Sequence, residues 1–227
     1  GGRWDSGKPY ESSSRSFRVM FQIARATGDD VRGAHDLFVR SLYADEPLIA
    51  ANGPHVLPEC SDGVASAVIA QGRSIVARDA SGDVVGCALV DEPPQAFPYI
   101  YTHDEADVKF QHMFEHMEDM SDVHNVAPDA IEIRYLAVDK AWRGRGIAQA
   151  IVEASMEAAR QGGFRWFKMY TTSYFSNLLM IKMKWKRLYS LSYKEYVSEF
   201  KSDIKIPAEP HTHCNLYIYD LMSEEPN

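Results

Sequence analysis

Cysteine is scarce in this chain of 227 residues: Cys60, Cys87 and Cys214 stand far apart and form no CxxC pair. Neither a disulfide framework nor a zinc knuckle is expected, and a reducing, cytoplasmic setting fits best. Long apolar runs are missing too, none approaching the ~18 residues a membrane-spanning helix needs. Residues 1–16 are polar and Ser-rich without the apolar stretch of a secretory signal, so no membrane partner is expected. Positive charge is in deficit, with 24 Lys/Arg against 32 Asp/Glu and a formal net charge of -8, which argues against a nucleic-acid partner. That deficit is uneven. Gly1 to Glu132 carries 10 Lys/Arg against 22 Asp/Glu, whereas Ile133 to Asn227 carries 14 against 10. An acidic half suits a cationic ligand and a basic half a phosphorylated one, although both also read as solvated faces.

What is present is an ordinary globular balance, 45% hydrophobic and 25% charged residues, on a length that fits one core. We expect a flexible segment over 1–16, a single domain over 17–222 and a tail over 223–227. Periodicity predicts a strand over 17–24 and a helix from the Gly28-Asp29-Asp30 cap through Leu42, broken at Pro47. Further helices are predicted over 57–71 and 105–120, with a hairpin of 74–77 and 84–90 between them. The strand predicted over 130–138 alternates Ile131, Ile133, Tyr135 and Ala137 with Glu132, Arg134 and Leu136. A helix over 144–162, stopped by Gly162-Gly163, a strand over 164–171, a helix over 173–184 and strands over 187–196 and 215–221 complete an α/β order.

The most informative stretch runs from Tyr135 to Ala148, where Leu136-Ala137-Val138 lead straight into Arg143-Gly144-Arg145-Gly146-Ile147-Ala148. A strand that enters a small-residue turn opening a helix presents free backbone N–H groups at the helix's positive end, which is an anion cradle. The same residues also suit a plain tight helix entry. Neither a GxGxxG series nor a Walker Lys-Ser/Thr pair is present, so dinucleotide and P-loop motifs are not met.

Arg143-x-x-Gly146-x-Ala148 after that strand resembles the pyrophosphate-binding motif of the GCN5-related N-acetyltransferase (GNAT) superfamily. Asp45-Glu46-Pro47-Leu48, Thr172-Ser173-Tyr174-Phe175-Ser176 and Pro210-His211 extend the likeness to the invertebrate arylalkylamine N-acetyltransferases, which act on dopamine and serotonin. The resemblance covers most of 17–221. Lys184-Trp185 stands where that group has Gly-Phe, and Thr172 where it has Ser.

The resemblance implies a GNAT fold, a mixed and mostly antiparallel twisted sheet splayed at the acetyl-CoA site and flanked by helices. It implies an acetyl-CoA-dependent acyltransferase acting on a small arylalkylamine by direct attack on the thioester in a ternary complex, as in monoamine metabolism. Arg143, Gly144, Arg145, Gly146, Ile147 and Ala148 would hold the pyrophosphate, Leu136 and Val138 the pantetheine arm. Ala137 and Val138 would steady the oxyanion.

An alkyl ammonium has a pKa of about 10.4 and cannot attack until it loses a proton. Glu46 is the expected base, with Asp45 beside it raising its pKa by like-charge repulsion; on its residues alone, Glu46 also reads as a helix-terminal carboxylate. Thr172 and Ser176 would complete a relay in which Ser176, or Tyr174, protonates the thiolate; a Ser at a helix start also reads as an N-cap. His211 borders the amine pocket by resemblance. The pairs His112/His116 and His211/His213 invite a metal, but no third ligand is placed, so none is expected. Lys182, Lys184, Lys186 and Arg187 suit the adenosine 3'-phosphate or a solvated edge. Phe97, Tyr99 and Tyr101 could floor an aryl pocket or pack on the core. Rival readings are a polyamine or agmatine acetyltransferase, a protein acetyltransferase, and a regulatory module that binds acetyl-CoA without turnover. A monomer or weak dimer is expected.

Overall fold

The computed structural model describes residues 21–57, 59–60, 64–95 and 105–223, with side chains from residue 108 in the helix that begins at Glu105. Seven strands form one sheet in the order β1-β2-β3-β4-β5-β7-β6. They are β1 (Gln22–Arg25), β2 (Ile75–Arg78), β3 (Val84–Asp91), β4 (Ile131–Val138), β5 (Trp166–Thr171), β6 (Lys186–Ser192) and β7 (His213–Asp220). Every neighbouring pair is antiparallel except β4 with β5. That one parallel pair needs a crossover, and α7 (Ile147–Gln161) supplies it.

Helices cover both faces. On one side α7 lays Ile147, Ala150, Ile151, Ala154 and Ala158 on Ile75, Ala88, Ile133 and Phe167. The approach is close because β3 offers Gly86 there: a Cβ at that position would stand 2.7 Å from Ile151 Cδ1. The other face carries α1 (Val31–Leu37), which passes through a π turn (Phe38–Leu42) into α2 (Tyr43–Asp45). α3 (Pro47–Ala51), α4 (Val64–Ile69), α5 (Glu105–Ser121), α6 (Val123–Val126) and α9 (Tyr193–Phe200) follow on the same side, while α8 (Tyr174–Lys182) packs Met180 toward α7's face.

Three departures from the sequence reading have physical causes. Alternation along β4 does not persist. Leu89 pairs with Tyr135 and Val90 with Ile133, which leaves Arg134 as the extra residue of a bulge. Ile131 and Ile133 therefore face α7, but Tyr135 and Ala137 face the α1 side, with Leu136 and Val138 turned back toward α7. Second, the strand predicted over 187–196 ends at Ser192, whose hydroxyl caps α9 by accepting from Glu195 N. Third, the helix predicted over 57–71 is observed as Val64–Ile69, with Leu57 outside it. Residues 1–16 and Phe97, Tyr99 and Tyr101 lie outside the described residues.

Candidate active site

The parallel pairing of β4 with β5 spans only Ile131 to Ile133 against Phe167 to Met169. From Leu136 to Val138, β4 keeps β3 as a partner and no longer pairs with β5. The bulge and the end of pairing coincide, so the strands part and their backbone groups stay available to a ligand. Into this opening runs a cleft of about 630 Å³, lined by Leu136, Ala137 and Val138 of β4, by Gly144, Gly146 and Ala148 of the turn, and by α8.

The turn after β4 is held from below. Asp139 accepts from Ala141 N at 2.9 Å and pairs with Arg40 at 2.8 Å, and these contacts keep its carboxyl below the usual range, with Arg40 the largest cause. Gly144 and Gly146 adopt φ of +76° and +80°, a region costly for L side chains. A Cβ at either would meet nothing within 4 Å. The cradle is thus open toward solvent, as a diphosphate requires, and Gly146 heads α7, whose first amides carry no side-chain cap. Arg145 is turned away: its guanidinium lies 4.8 Å over the Trp142 ring and donates to Ala141 O.

Opposite the cradle stands Glu46. Pro47 forces the preceding residue out of helical geometry, and Glu46 accordingly has φ -66° and ψ 124°. Pro47 then starts α3, where a missing N–H costs nothing. Glu46 caps that helix, accepting from Ile49 N at 2.7 Å, while its other oxygen accepts from the Thr172 hydroxyl. Burial pushes its carboxyl above the ordinary range, and the hydrogen bonds from Thr172, Ile49 and Leu48 offset this only in part. The helix-terminal reading of Glu46 is what is observed, and the same carboxylate lines the cleft. Behind it the buried Cys214 thiol is itself raised, by burial and then by the Glu46 charge.

Asp45 does not act on Glu46 as expected. Its carboxylate pairs with Arg143 Nη2 at 2.9 Å, which neutralises it, and burial is the leading cause of the Glu46 shift. Arg143 also donates to Val138 O at 3.1 Å, tying the cradle to the end of β4. The expected relay is likewise not closed. Thr172 bonds Glu46, but the Ser176 hydroxyl lies 2.8 Å from Ser173 Oγ and donates to Ser173 O. Ser173, not Ser176, is the N-cap of α8, so Ser176 is left on the first turn lining the cleft.

His211 also lines the cleft; its Nδ1 accepts from Tyr174 N at 3.0 Å, which requires a neutral ring, and burial lowers its pKa in the same direction. Tyr174 reaches the site through that amide. Lys182 is on the cleft wall, whereas Lys184, Lys186 and Arg187 are not among its described lining. His213 bonds Thr212, His116 packs on Phe200 at 4.7 Å, and no set of three His, Cys, Asp or Glu among the described residues could hold a metal.

Two participants escaped the sequence reading. Ser173 was legible in the Ser-x-x-Ser spacing of a cap. Tyr193 was not: it comes from α9, and its hydroxyl donates to Thr172 O at 2.7 Å, fixing the residue that bonds Glu46.

Residues 38–178 match the acetyltransferase (GNAT) family, more than half of the chain. Solved insect structures share the fold. Mosquito arylalkylamine N-acetyltransferase like 5b has a TM-score of 0.76 at 20% identity. Arylalkylamine N-acetyltransferase 2 from Aedes aegypti has 0.74 at 21%, and the polyamine N-acetyltransferase of Drosophila melanogaster 0.71 at 18%. Each match covers 88% of this chain and 99% of the other. With a splayed β4, an open glycine cradle and this match across both, the chain belongs to the acetyltransferase (GNAT) family and is an acyltransferase.

Proposed function

We propose that the chain transfers the acetyl group of acetyl-CoA to the primary amine of a small arylalkylamine, the class of dopamine, serotonin, tyramine, octopamine and tryptamine. The observation that carries this reading is the buried carboxylate of Glu46, held by Thr172 and the α3 amides across the cleft from the cradle. A carboxyl raised by burial is a better proton acceptor than an exposed one, which narrows its gap to an ammonium of pKa about 10.4.

In this reading the backbone amides of the Gly144 to Ala148 turn bind the diphosphate, and Leu136 and Val138 bind the pantetheine from the free edge of β4. Glu46 takes a proton from the ammonium, directly or through one water. The free amine then forms its C–N bond to the thioester carbon as the C–S bond breaks. The Val138 amide, on the edge away from β3, donates to the oxygen that gathers charge. The proton needed by the departing thiolate comes from Ser176, which lines the cleft and whose hydroxyl would turn from Ser173 O to the sulfur, with the Tyr174 hydroxyl as the competing donor.

The cleft's charge supports this amine class. An agmatine or polyamine acceptor, as for the Drosophila relative, brings a second cation. Among the described lining residues only Asp45 and Glu46 are carboxylates, and Asp45 is already paired with Arg143. Phe175 and His211, 5.8 Å apart in an edge-to-face contact, offer an aromatic wall instead. A single domain over 17–222, a monomer or weak dimer and a cytoplasmic setting complete the proposal; no helix among the described residues is long and apolar enough to cross a membrane. Steady-state rates with acetyl-CoA and a panel of tyramine, dopamine, serotonin, octopamine, histamine, agmatine and spermidine test it. Higher kcat/KM for the aryl amines is expected, and preference for agmatine or spermidine would overturn the class.

A further inference from the structure

A second cavity, of about 370 Å³, lies at the opposite end of β4, under α5 and α6. It shares no described lining residue with the transfer cleft. Between the two, on the same face of β5 as Lys168, Tyr170 packs edge-on against Phe114 with ring centroids 5.1 Å apart.

The walls are built from buried charge. Glu132 is 3% exposed and Lys168 equally so. Lys168 Nζ stands 3.6 Å from Glu132 Oε2 and 4.0 Å from Glu118 Oε1, and Arg134 Nη1 stands 3.9 Å from Asp91 Oδ2. A charge-assisted hydrogen bond needs about 2.7–2.9 Å, so these pairs are held apart rather than closed. Glu132 Oε2 and Asp91 Oδ2 accept no hydrogen bond at all. An acceptor left so in a dry interior is costly, more so when charged, unless something in the cavity donates to it.

A positive donor suits this wall. Four carboxylates, Glu115, Glu118, Asp129 and Glu132, line the cavity with Arg134, Lys168 and His124, and His124 stands 3.4 Å from Glu118. Burial holds the Glu132 carboxyl above its ordinary range, and Lys168 and Arg134 offset this only in part. The carboxylates are interleaved with Lys168 and Arg134, and among the described residues no set of three could bind a metal ion. An organic ammonium, with several N–H donors on one centre and an apolar tail for Val123 and Ala127, matches such a wall.

We propose that this cavity is a second binding site, which takes a small primary alkyl ammonium ion and does not acetylate it. Among the described residues no glycine cradle faces it, so an amine held there meets no thioester and modulates the chain rather than reacting. The proposal holds whichever amine the cleft prefers.

Calorimetry on the full chain with butylammonium, and with butanol as the uncharged control, tests it. We expect butylammonium uptake in wild type and in Glu46→Gln, a Kd about tenfold weaker in Glu132→Gln, and no uptake of butanol. Transfer kcat/KM at low amine should be the same in Glu132→Gln as in wild type. Should Glu132→Gln fail to fold, Glu115→Gln at the exposed rim gives the same reading with a loss of about threefold, and crystals soaked in butylammonium chloride should show it against Glu132. Uptake abolished by Glu46→Gln and untouched by both cavity variants, or no uptake by wild type, overturns the second site. Failure of the amine panel alone would leave it standing.

Discussion

Glu46 and Glu132 are both buried carboxylates with raised pKa, yet their surroundings are opposites. Glu46 is met by hydrogen-bond donors and no cation: a hydroxyl from Thr172 and amides at the head of α3. Glu132 is met by two cations, and one of its oxygens accepts no hydrogen bond. Neutral donors fix the orientation of a carboxylate while leaving it free to exchange a proton; cations draw it toward the ionised form, and at Glu132 they offset burial only in part. The first arrangement suits a base that must cycle, the second a wall that favours a cationic guest.

The largest effect that would break this contrast is at Glu46. Glu46→Gln keeps the cap and the Thr172 contact but cannot take a proton, so kcat should fall by about 10²–10⁴-fold with loss of the acid-side limb of the pH-rate profile. An unchanged rate at neutral pH would show that another group removes the proton. The same variant should be more stable than wild type at alkaline pH. A carboxyl raised in the folded state favours folding when protonated, and that contribution disappears as pH climbs through its folded pKa. Thermal midpoints at pH 5 and pH 8.5 check it, with the gain expected at pH 8.5.

Next in size is the cradle. Gly146→Val forces a β-branched residue to φ +80° and puts its side chain where the diphosphate would lie, so acetyl-CoA binding should weaken by about 10–100-fold, amine binding less. The reverse order of losses would count against the cradle. A control touching neither carboxylate is Lys184, a non-glycine residue at φ +60°. Lys184→Gly should stabilise the chain by about 1 kcal/mol, read as a rise of roughly 2–4 °C in Tm, with kcat unchanged. Subtlest is Thr172→Val. Thr172 lowers the Glu46 pKa, so its removal should move the acid limb to higher pH; a limb moving to lower pH would mean the hydroxyl does not act on Glu46.

These contrasts were only partly legible beforehand. Pro47 after Glu46, the Gly144-Arg145-Gly146 turn and the apolar stripe of α7 are local patterns, and they announced the cap, the cradle and the crossover helix. What depends on distant partners was hidden. The Asp45 pairing with Arg143 spans 98 positions and reversed the expected role of Asp45. Tyr193 reaches Thr172 from a helix that read as strand, because Ser192 and Glu195 look like strand alternation until the cap is formed. Glu132 read only as a polar residue alternating with Ile131 and Ile133, since nothing local signals that α5 and α6 would roof it.

The single extra residue at Arg134 makes β4 two strands in one register. Its first half answers to neighbours around the ammonium cavity and its second half to neighbours around the thioester. Mutational libraries in β4 should therefore be built as two separable blocks. Deleting Arg134 would be expected to leave Tyr135 and Leu136 on their present faces, because alternation then runs unbroken from Ile133, and to remove the local distortion at which β4 parts from β5.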